Sequence, residues 1–273
     1  MTSENATVRD VQNRIYEVLK YIDRVCREND IEYFLSGGTL LGAIRHKGFI
    51  PWDDDADVML KRPEYERLLK VLKKNKDKRF VLGSVETDSD WDKPWARIWD
   101  STTRIRFDSI QDNGIGVFVD VLPIDAVPEN YKMFKLFNYR VKFLNVLRNA
   151  SIRTSFVEGE KHRFIKKILG FFAARHSGHY HAARVNRVCA AKKYGSTRHC
   201  GVTVLSHYME KERFKCSCFD RAIEVHFETS RFMAPVGFDD YLRQLYGEYM
   251  KLPPVEKQKS EHLFRIMTTL DEQ

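Results

Sequence analysis

Four aspartates crowd the stretch from Asp53 to Asp57, and three of them, Asp53, Asp55 and Asp57, are spaced by two residues. The residues from Asp53 to Leu60 are predicted to form a strand, which would place these three carboxylates on one face. Neighbouring like charges repel and are costly to desolvate, so a bound cation would stabilise the row. Oxygen ligands favour Mg²⁺ or Mn²⁺. The alternative is a solvated acidic turn after Pro51, but the apolar residues that follow favour the metal site.

A further aspartate, Asp120, lies within an apolar run that begins at Val117 and is predicted to be a core strand. An unpaired carboxylate is costly there, so Asp120 needs a partner. If its strand lies beside the one that carries Asp55 and Asp57, Asp120 completes the metal site. Asp125 could compete for this role, but its Pro-Ile-Asp-Ala context is more typical of a turn or a helix cap.

A glycine corner precedes the aspartates. Residues Ile31 to Leu35 are predicted to form a strand, Ser36-Gly37-Gly38 breaks it, and a helix is predicted from Thr39 to His46. The main-chain N–H groups at the start of such a helix bind phosphate. We therefore expect Gly37, Gly38 and Thr39 to contact phosphate oxygens, together with the N–H group of Leu40.

Three basic residues, Arg45, His46 and Lys47, lie between the glycine corner and the aspartates. One of them is expected to pair with a diphosphate, and Arg45 is favoured because a guanidinium can hold two oxygens. A general-base role for His46 is less favoured than a structural or solvent-facing one.

The elements that position these residues indicate an α/β (α+β) protein with a mixed sheet flanked by helices. We predict a catalytic core over residues 1–128, a mainly helical basic segment over 129–200 and a C-terminal part over 201–273 that completes the catalytic domain. An amphipathic helix is predicted from Val8 to Asn29, and a later one from Phe238 to Tyr249. Proteins of the nucleotidyltransferase fold typically have a glycine corner, a DxD pair and a later single aspartate on a neighbouring strand. Many of these proteins catalyse phosphoryl transfer.

The net charge of +8 is unevenly distributed. Residues 131 to 200 contain sixteen Lys and Arg but only two acidic residues, which indicates either an anionic partner or solvated helix faces. An apolar stripe with basic flanks could contact a membrane or pack on the core, and its residues are Phe134, Phe137, Val141, Leu144 and Leu147. The stretch from Phe164 to Phe172 offers a second such surface.

The N-terminus lacks a secretory pattern, and five irregularly spaced cysteines do not suggest a disulfide framework, so a cytoplasmic protein is expected. A zinc site at Cys216 and Cys218, with His199, Cys200 and His207 upstream, is disfavoured because the spacing matches no common zinc pattern.

The chain resembles the LicD family, the phosphocholine transferases of bacterial surface glycans, whose animal relatives are fukutin and fukutin-related protein. The resemblance rests on GTLLGAIRHKGFIPWDDDADVML (Gly38 to Leu60), FVDVLPID (Phe118 to Asp125) and YGEYMKLPP (Tyr246 to Pro254). It implies a metal-dependent transferase that moves a phospho-substituent from a CDP-linked donor, CDP-choline being the first choice, to a glycan and releases CMP. The acceptor would be a teichoic acid, lipopolysaccharide or capsule, with or without a lipid anchor, and peripheral contact with the inner membrane is expected.

Residue roles follow from this resemblance. Asp55, Asp57 and Asp120 are the catalytic candidates, and with Asp53 they are the candidates for binding Mg²⁺ or Mn²⁺. A choline headgroup requires aromatic faces for its quaternary ammonium, and Trp52 is the best single candidate because it adjoins the carboxylates.

Other aromatic residues are interpreted as structural. Trp91, Trp95 and Trp99 recur every four residues and are attributed to core packing or a surface ridge. Tyr246 and Tyr249 are expected to brace the C-terminal helix.

Two other functions are compatible with parts of the pattern. One is a nucleotidyltransferase that attacks the α-phosphate of a nucleoside triphosphate, and the other is a non-catalytic module that binds a polyanion through the basic segment. The long signature disfavours the first. The second would not need Asp55, Asp57 and Asp120 together, and nucleic acid is not an expected partner.

Overall fold

A mixed sheet flanked by helices carries Asp57 and Asp120. The computed structural model describes residues 7–74, 77–107, 114–153, 170–259 and 264–268. The helices are α1 Val8–Glu28, α2 Gly37–Arg45, α3 Arg62–Lys74, α4 Tyr131–Ser151, α5 Gly178–Cys189 and α6 Phe238–Tyr246. The strands are β1 Phe34–Leu35, β2 Asp57–Lys61, β3 Phe80–Gly83, β4 Ala96–Asp100, β5 Thr103–Phe107, β6 Phe118–Ala126, β7 His199–Gly201, β8 Phe214–Lys215, β9 Ala222–Phe227, β10 Ser230–Pro235 and β11 Phe264–Thr268.

The main sheet has the order β1-β2-β6-β4-β3, and β7 pairs with the end of β6 and with β8. Strands β2 and β6 are parallel, whereas the pairings of β1 with β2 and of β4 with β6 are antiparallel. The predicted mixed α/β architecture is therefore confirmed. Because β7 and β8 belong to the last third of the chain, residues distant in sequence share one sheet.

The long central strand β6 is almost continuously buried, as its apolar sequence predicted. Helix α1 covers the sheet with the predicted apolar face, which includes Ile15, Val18 and Ile22. A capping box fixes its start, because the Thr7 side chain accepts from the N–H of Asp10 while the Asp10 carboxylate accepts from the N–H of Thr7. The helix ends at Glu28, one residue before the predicted end.

Three predicted boundaries need correction. The strand predicted from Asp53 begins only at Asp57. The predicted alternation nevertheless holds, because side chains at 54, 56, 58 and 60 are buried while those at 53, 55 and 57 are partly exposed. The strand predicted from Ile31 is reduced to Phe34–Leu35. Helix α6 ends at Tyr246 rather than Tyr249, because Gly247 has a φ of +72° and leaves the helix.

The interpretation of Asp125 as a turn or a helix cap was wrong. Asp125 lies inside β6, is fully buried and accepts two hydrogen bonds from Arg62, at 2.7 Å from Nε and 2.6 Å from Nη2. Arg62 also donates to Asn186 Oδ1 at 2.9 Å. These contacts connect β6 to α3 and α5. Arg62 is therefore the structural partner of Asp125.

The basic segment packs on the sheet through α4 and α5. The predicted stripe on α4 faces the protein interior: Phe134, Val141 and Leu144 are buried, and Phe137 and Leu147 pack against the core. The stripe therefore packs on the core, which was the predicted alternative to contact with a membrane. Most of the second predicted surface, from Phe164 to Phe172, lies outside the described residues. Within the described ranges, no helix is both long enough and apolar enough to span a bilayer.

Candidate active site

The predicted aspartates, the start of α2 and aromatic residues from the last third of the chain line one cleft of about 560 Å³. Asp53, Asp55, Asp57 and Asp120 all face it, as do Gly37, Gly38 and Trp52. The lining residues that sequence reasoning did not assign to the site are Leu41, Ile50, Trp95, Arg97, Leu122, Val202, Leu205, His207, Tyr208, Glu212, Tyr241, Tyr246, Lys257 and Lys259.

Sheet register places the charges in a row across three neighbouring strands. Asp57 on β2 is paired with Asp120 on β6, and Asp120 is paired with Arg97 on β4. Partner residues on adjacent strands lie about 5 Å apart and point to the same face. The predicted adjacency of the strands that carry Asp57 and Asp120 is therefore confirmed.

The ionised form of Asp57 is unfavourable in this environment. Its pKa is raised well above the ordinary value, first by burial and then by the charges of Asp55, Asp120 and Asp53. Its main chain is fixed on both sides, since its N–H donates to Thr39 Oγ1 at 2.9 Å and its carbonyl accepts from Ser36 N–H at 3.0 Å.

Arg97 is the counter-ion that sequence reasoning missed. It is 6% exposed, and it donates to Asp120 from Nε at 2.6 Å and from Nη2 at 2.9 Å. Its guanidinium also lies over the ring of Phe118, 3.3 Å from the centroid. A signal was available: an arginine in the apolar run Ala-Arg-Ile-Trp-Asp is the same anomaly that drew attention to Asp120.

Helix α2 begins directly beside the aspartates, two residues earlier than predicted. Gly37 has a φ of +50°, which favours glycine, and its N–H donates to Tyr241 Oη at 3.3 Å. A Cβ at Gly38 would lie 2.9 Å from Asp53 Oδ2, so the main chain there is as close to the carboxylate as glycine allows.

One of the predicted phosphate contacts needs correction. Leu40 N–H donates to Ser36 O at 3.1 Å and so closes the first turn of the helix. The Thr39 hydroxyl is buried and accepts from the N–H of Asp57, whereas the predicted contact was from the Thr39 main chain. The main chain at Gly38 and Thr39 remains at the first helical turn, where N–H groups have no intrahelical partner.

The structure does not bring Arg45, His46 and Lys47 into the cleft. They follow the first turn of α2 by about 10 Å along the helix axis, which points them away from the aspartates. Arg45 Nη1 donates to Tyr249 O at 2.8 Å, and its Nε donates to His46 Nε2 at 2.9 Å. Burial and the charge of Arg45 lower the pKa of His46. Arg97, Lys257 and Lys259 are the cations that line the cleft.

Aromatic side chains form much of the remaining wall. Trp52 lies edge-on to His46, with ring centroids 6.2 Å apart, and Trp95 faces the same cleft. Trp95 is therefore more than the packing residue that was predicted. Trp91 and Trp99 fit the structural interpretation, since they stack on each other with centroids 6.0 Å apart and do not line this cleft.

Tyr246 was expected to brace the C-terminal helix, but it also lines the cleft. Its hydroxyl accepts a hydrogen bond from Tyr208 Oη at 3.1 Å, and both that hydroxyl and Asp57 Oδ2 lie 3.6 Å from the position of a Cβ at Gly37. The C-terminal motif YGEYMKLPP therefore contributes directly to the site.

Glu212 is a buried carboxyl group in the same wall. Burial raises its pKa to about 8, and its Oε2 accepts from Val202 N–H at 3.1 Å. The local sequence, Glu-Lys-Glu-Arg, is typical of a solvated surface, so no signal in the sequence indicated a buried residue here.

The donor chemistry of the aspartate cluster fits a hard cation. All of its side-chain ligands would be oxygens, and the raised pKa of Asp57 indicates a site that a cation would stabilise. No three His, Cys, Asp or Glu side chains in the described part of the chain are already arranged around a common metal position. Both carboxylate oxygens of Asp120 accept from Arg97, and each keeps a lone pair that a cation could use.

The cysteines of the disfavoured zinc site form no disulfide. Cys216 and Cys218, with Cys200, are free thiols and are not part of a metal-binding group among the described residues.

A mixed sheet with carboxylates at adjacent strand positions, beside a helix that begins at glycine, is the arrangement expected of a nucleotidyltransferase-type domain. Residues 30–158 match the family model described as LicD/FKTN/FKRP, nucleotidyltransferase domain. The lipopolysaccharide cholinephosphotransferase LicD of Haemophilus influenzae is 31% identical over 264 residues, which cover 94% of this chain and 96% of that protein. The chain belongs to the LicD family.

A more distant similarity is confined to a short segment. The ribitol 5-phosphate transferase FKRP of Homo sapiens is 45% identical over 42 residues, which are 15% of this chain and 8% of that protein. An uncharacterised protein of Rickettsia prowazekii is 38% identical over 58 residues, which are 21% of this chain and 22% of that protein.

Proposed function

We propose that this protein transfers a phosphate-linked substituent, phosphocholine in the first instance, from a CDP-activated donor to a hydroxyl group of a cell-surface glycan. The observation that carries the proposal is the match along nearly the whole chain to a lipopolysaccharide cholinephosphotransferase. The match to a ribitol 5-phosphate transferase is too short to favour ribitol phosphate. Lipopolysaccharide is accordingly the first acceptor to test.

The reaction breaks the phosphoanhydride bond of the donor and forms a phosphoester bond to the glycan. The acceptor oxygen attacks the phosphorus that carries choline, the bond from that phosphorus to the CMP oxygen breaks, and the hydroxyl proton passes to a base. The products are the phosphocholine-substituted glycan and CMP. Asp120 is the candidate base, since it lies at the centre of the charged row, between Asp57 and Arg97.

Asp53, Asp55 and Asp57 would hold Mg²⁺ or Mn²⁺, with Asp120 completing the set. When bound, the cation would offset the charge of the diphosphate and help to align the reacting groups. The protein's own contribution is orientation and charge. Main-chain N–H groups of Gly38 and Thr39 at the positive end of α2 would donate to phosphate oxygens, and Arg97 supplies a fixed guanidinium beside Asp120.

The aromatic wall suits a quaternary ammonium headgroup. Trp52, Trp95, Tyr208 and Tyr246 present ring surfaces to the same cleft, and a cation over such rings is attracted by their quadrupoles. Glu212 adds a carboxyl group that would balance the ammonium charge once it is ionised. A ribitol donor would gain little from these rings, so the wall favours choline over ribitol.

The test is a donor panel with one acceptor. Purified protein is incubated with Mg²⁺, lipopolysaccharide and either CDP-choline, CDP-ribitol or CTP, and CMP and pyrophosphate release are measured. CMP release that requires CDP-choline and acceptor is expected. Pyrophosphate release from CTP with nucleotide attached to the glycan would instead indicate a nucleotidyltransferase, and Trp52→Ala should raise the KM for CDP-choline if the aromatic wall binds the headgroup.

A further inference from the structure

Helix α4 is apolar on two opposite faces. One face packs on the core through Phe134, Val141 and Leu144. The other is turned to solvent and carries a stripe at helical spacing, which we call the outer stripe: Leu136 (62% exposed), Tyr139 (60%), Phe143 (56%) and Val146 (41%). Four large apolar side chains aligned on one exposed helix face mark an interaction surface, whereas scattered ones would not.

The charge around the outer stripe has one sign. Helix α4 contains Lys132, Lys135, Arg140, Lys142 and Arg148 and no acidic residue. At 100° per residue, Lys135 and Lys142 border the stripe on one side and Arg140 on the other. Glu210 pairs with Lys135 at 3.1 Å and so offsets one of these charges, which leaves Lys132, Arg140 and Lys142 to define the positive border.

The inner side of α4 supports the candidate active site. Asn145 Nδ2 donates to Val204 O at 2.9 Å, and Val204 lies between the cleft residues Val202 and Leu205. The Arg148 guanidinium lies over the ring of Trp95, 5.6 Å from its centroid, and Trp95 lines the cleft. The outer stripe is therefore about one helix diameter, roughly 10 Å, from the cleft wall.

We propose that the outer stripe of α4 lies in the interface of an anionic membrane, with Lys132, Arg140 and Lys142 contacting lipid phosphates. Apolar residues flanked by lysine and arginine are what an interfacial helix requires: the ring and aliphatic groups enter the boundary of the acyl chains while the cations meet the headgroups. Charge complementarity selects this occupant over a second copy of the chain, because two such helices would bring like charges together.

The inference rests on the proposed function only for its consequence, that a lipid-anchored acceptor is presented to the cleft. Docking itself is measured without turnover. The probes are vesicles of phosphatidylcholine with or without phosphatidylglycerol, and binding is followed by co-sedimentation. Binding to the anionic vesicles is expected to weaken steeply with salt, because the screening length falls to about 10 Å at 0.1 M.

Two variants separate apolar insertion from charge. Leu136→Gln with Phe143→Gln removes the centre of the outer stripe, and its control is Met250→Gln with Leu252→Gln, which changes two apolar side chains of similar exposure, 59% and 53%, outside α4. The first should weaken binding at least tenfold, because it removes two apolar side chains that would be buried in the membrane interface. The control should bind like the parent protein.

The charge variant replaces Lys132, Arg140 and Lys142 with Gln, and its control replaces the exposed Lys73 and Lys74 of α3. Loss of three charges near the surface should weaken binding to anionic vesicles about a hundredfold. Thermal unfolding of every variant verifies that it is folded.

The outcomes are distinct. Salt-sensitive binding to anionic vesicles that falls in both α4 variants and persists in both controls supports the proposal. No binding at low salt, equal loss in the controls, or a concentration-dependent dimer abolished by Leu136→Gln would overturn it, the last by showing a self-association face. CMP release with a soluble glycan fragment should be unchanged in the α4 variants, so failure of the transferase assay would leave the docking result readable.

Discussion

The buried pair of Arg62 and Asp125 allows a sharp test of which aspartate is structural and which is functional. Asp125 is fully buried and its two oxygens accept from Arg62 Nε and Nη2, so Asp125→Asn leaves a guanidinium in the interior without its counter-charge. Breaking such a pair costs about 3–5 kcal/mol. For a chain of this size the loss corresponds to a fall in Tm of roughly 5–9 °C.

The assay is urea unfolding followed by tryptophan fluorescence, together with CMP release measured well below the unfolding transition. Asp125→Asn should lose stability and retain transfer activity. The matched control is Asp120→Asn, which also removes a carboxylate paired with an arginine but does so in the cleft, and it should abolish transfer with a smaller loss of stability. If Asp125→Asn keeps its stability but loses activity, the assignment of these two residues is wrong.

Three other perturbations have clear signs. Asp57→Asn should abolish transfer. In EDTA its free energy of unfolding should be equal to or higher than that of the parent protein, because the raised pKa of Asp57 indicates that its charge is unfavourable there. Near-normal turnover would exclude Asp57 from the mechanism. Between the ordinary glutamate value of 4.5 and about 8, folded Glu212 holds a proton that the unfolded chain has released, so stability should fall as pH rises through this range and level off above it. Glu212→Gln should flatten that part of the pH profile of urea unfolding, and an unchanged slope would contradict the burial argument. Activity should be lost in EDTA and restored by Mg²⁺ or Mn²⁺ but poorly by Ca²⁺, which tolerates looser geometry, and full activity in chelator would exclude the metal.

Local patterns in the sequence predicted the aspartates and the glycine corner of the cleft. The alternation at 53 to 60 and the burial of β6 follow from apolar residues that must face the core. The pairing of Asp57 with Asp120 was only a condition of the predicted metal site, and the structure supplies it. The glycine corner was equally readable, because a positive φ at Gly37 and the close approach at Gly38 exclude larger residues.

Contacts between residues that are far apart in the sequence could not be predicted from the sequence. Arg62 lies 63 positions from Asp125, and no local pattern indicates that they meet, so Asp125 was misread as a turn residue. The orientation of α4 was a similar problem. Both of its faces are apolar, and only the packed structure shows that the predicted stripe is the inner one.

The direction of α2 explains why three predicted contacts are not made in the cleft. The sequence places Arg45, His46 and Lys47 close to the aspartates along the chain, but the helix carries them away from its first turn. Tyr208, Glu212 and Tyr246 reach the cleft instead, because the C-terminal third returns to the sheet.

The most direct test of the central claim is the stoichiometry of transfer from choline-labelled CDP-choline to lipopolysaccharide in the presence of Mg²⁺. The account predicts one labelled choline on the glycan for each CMP released, with both lost together in Asp57→Asn and in chelator. CMP release without labelled glycan, or labelled glycan formed equally well by Asp57→Asn, would contradict it.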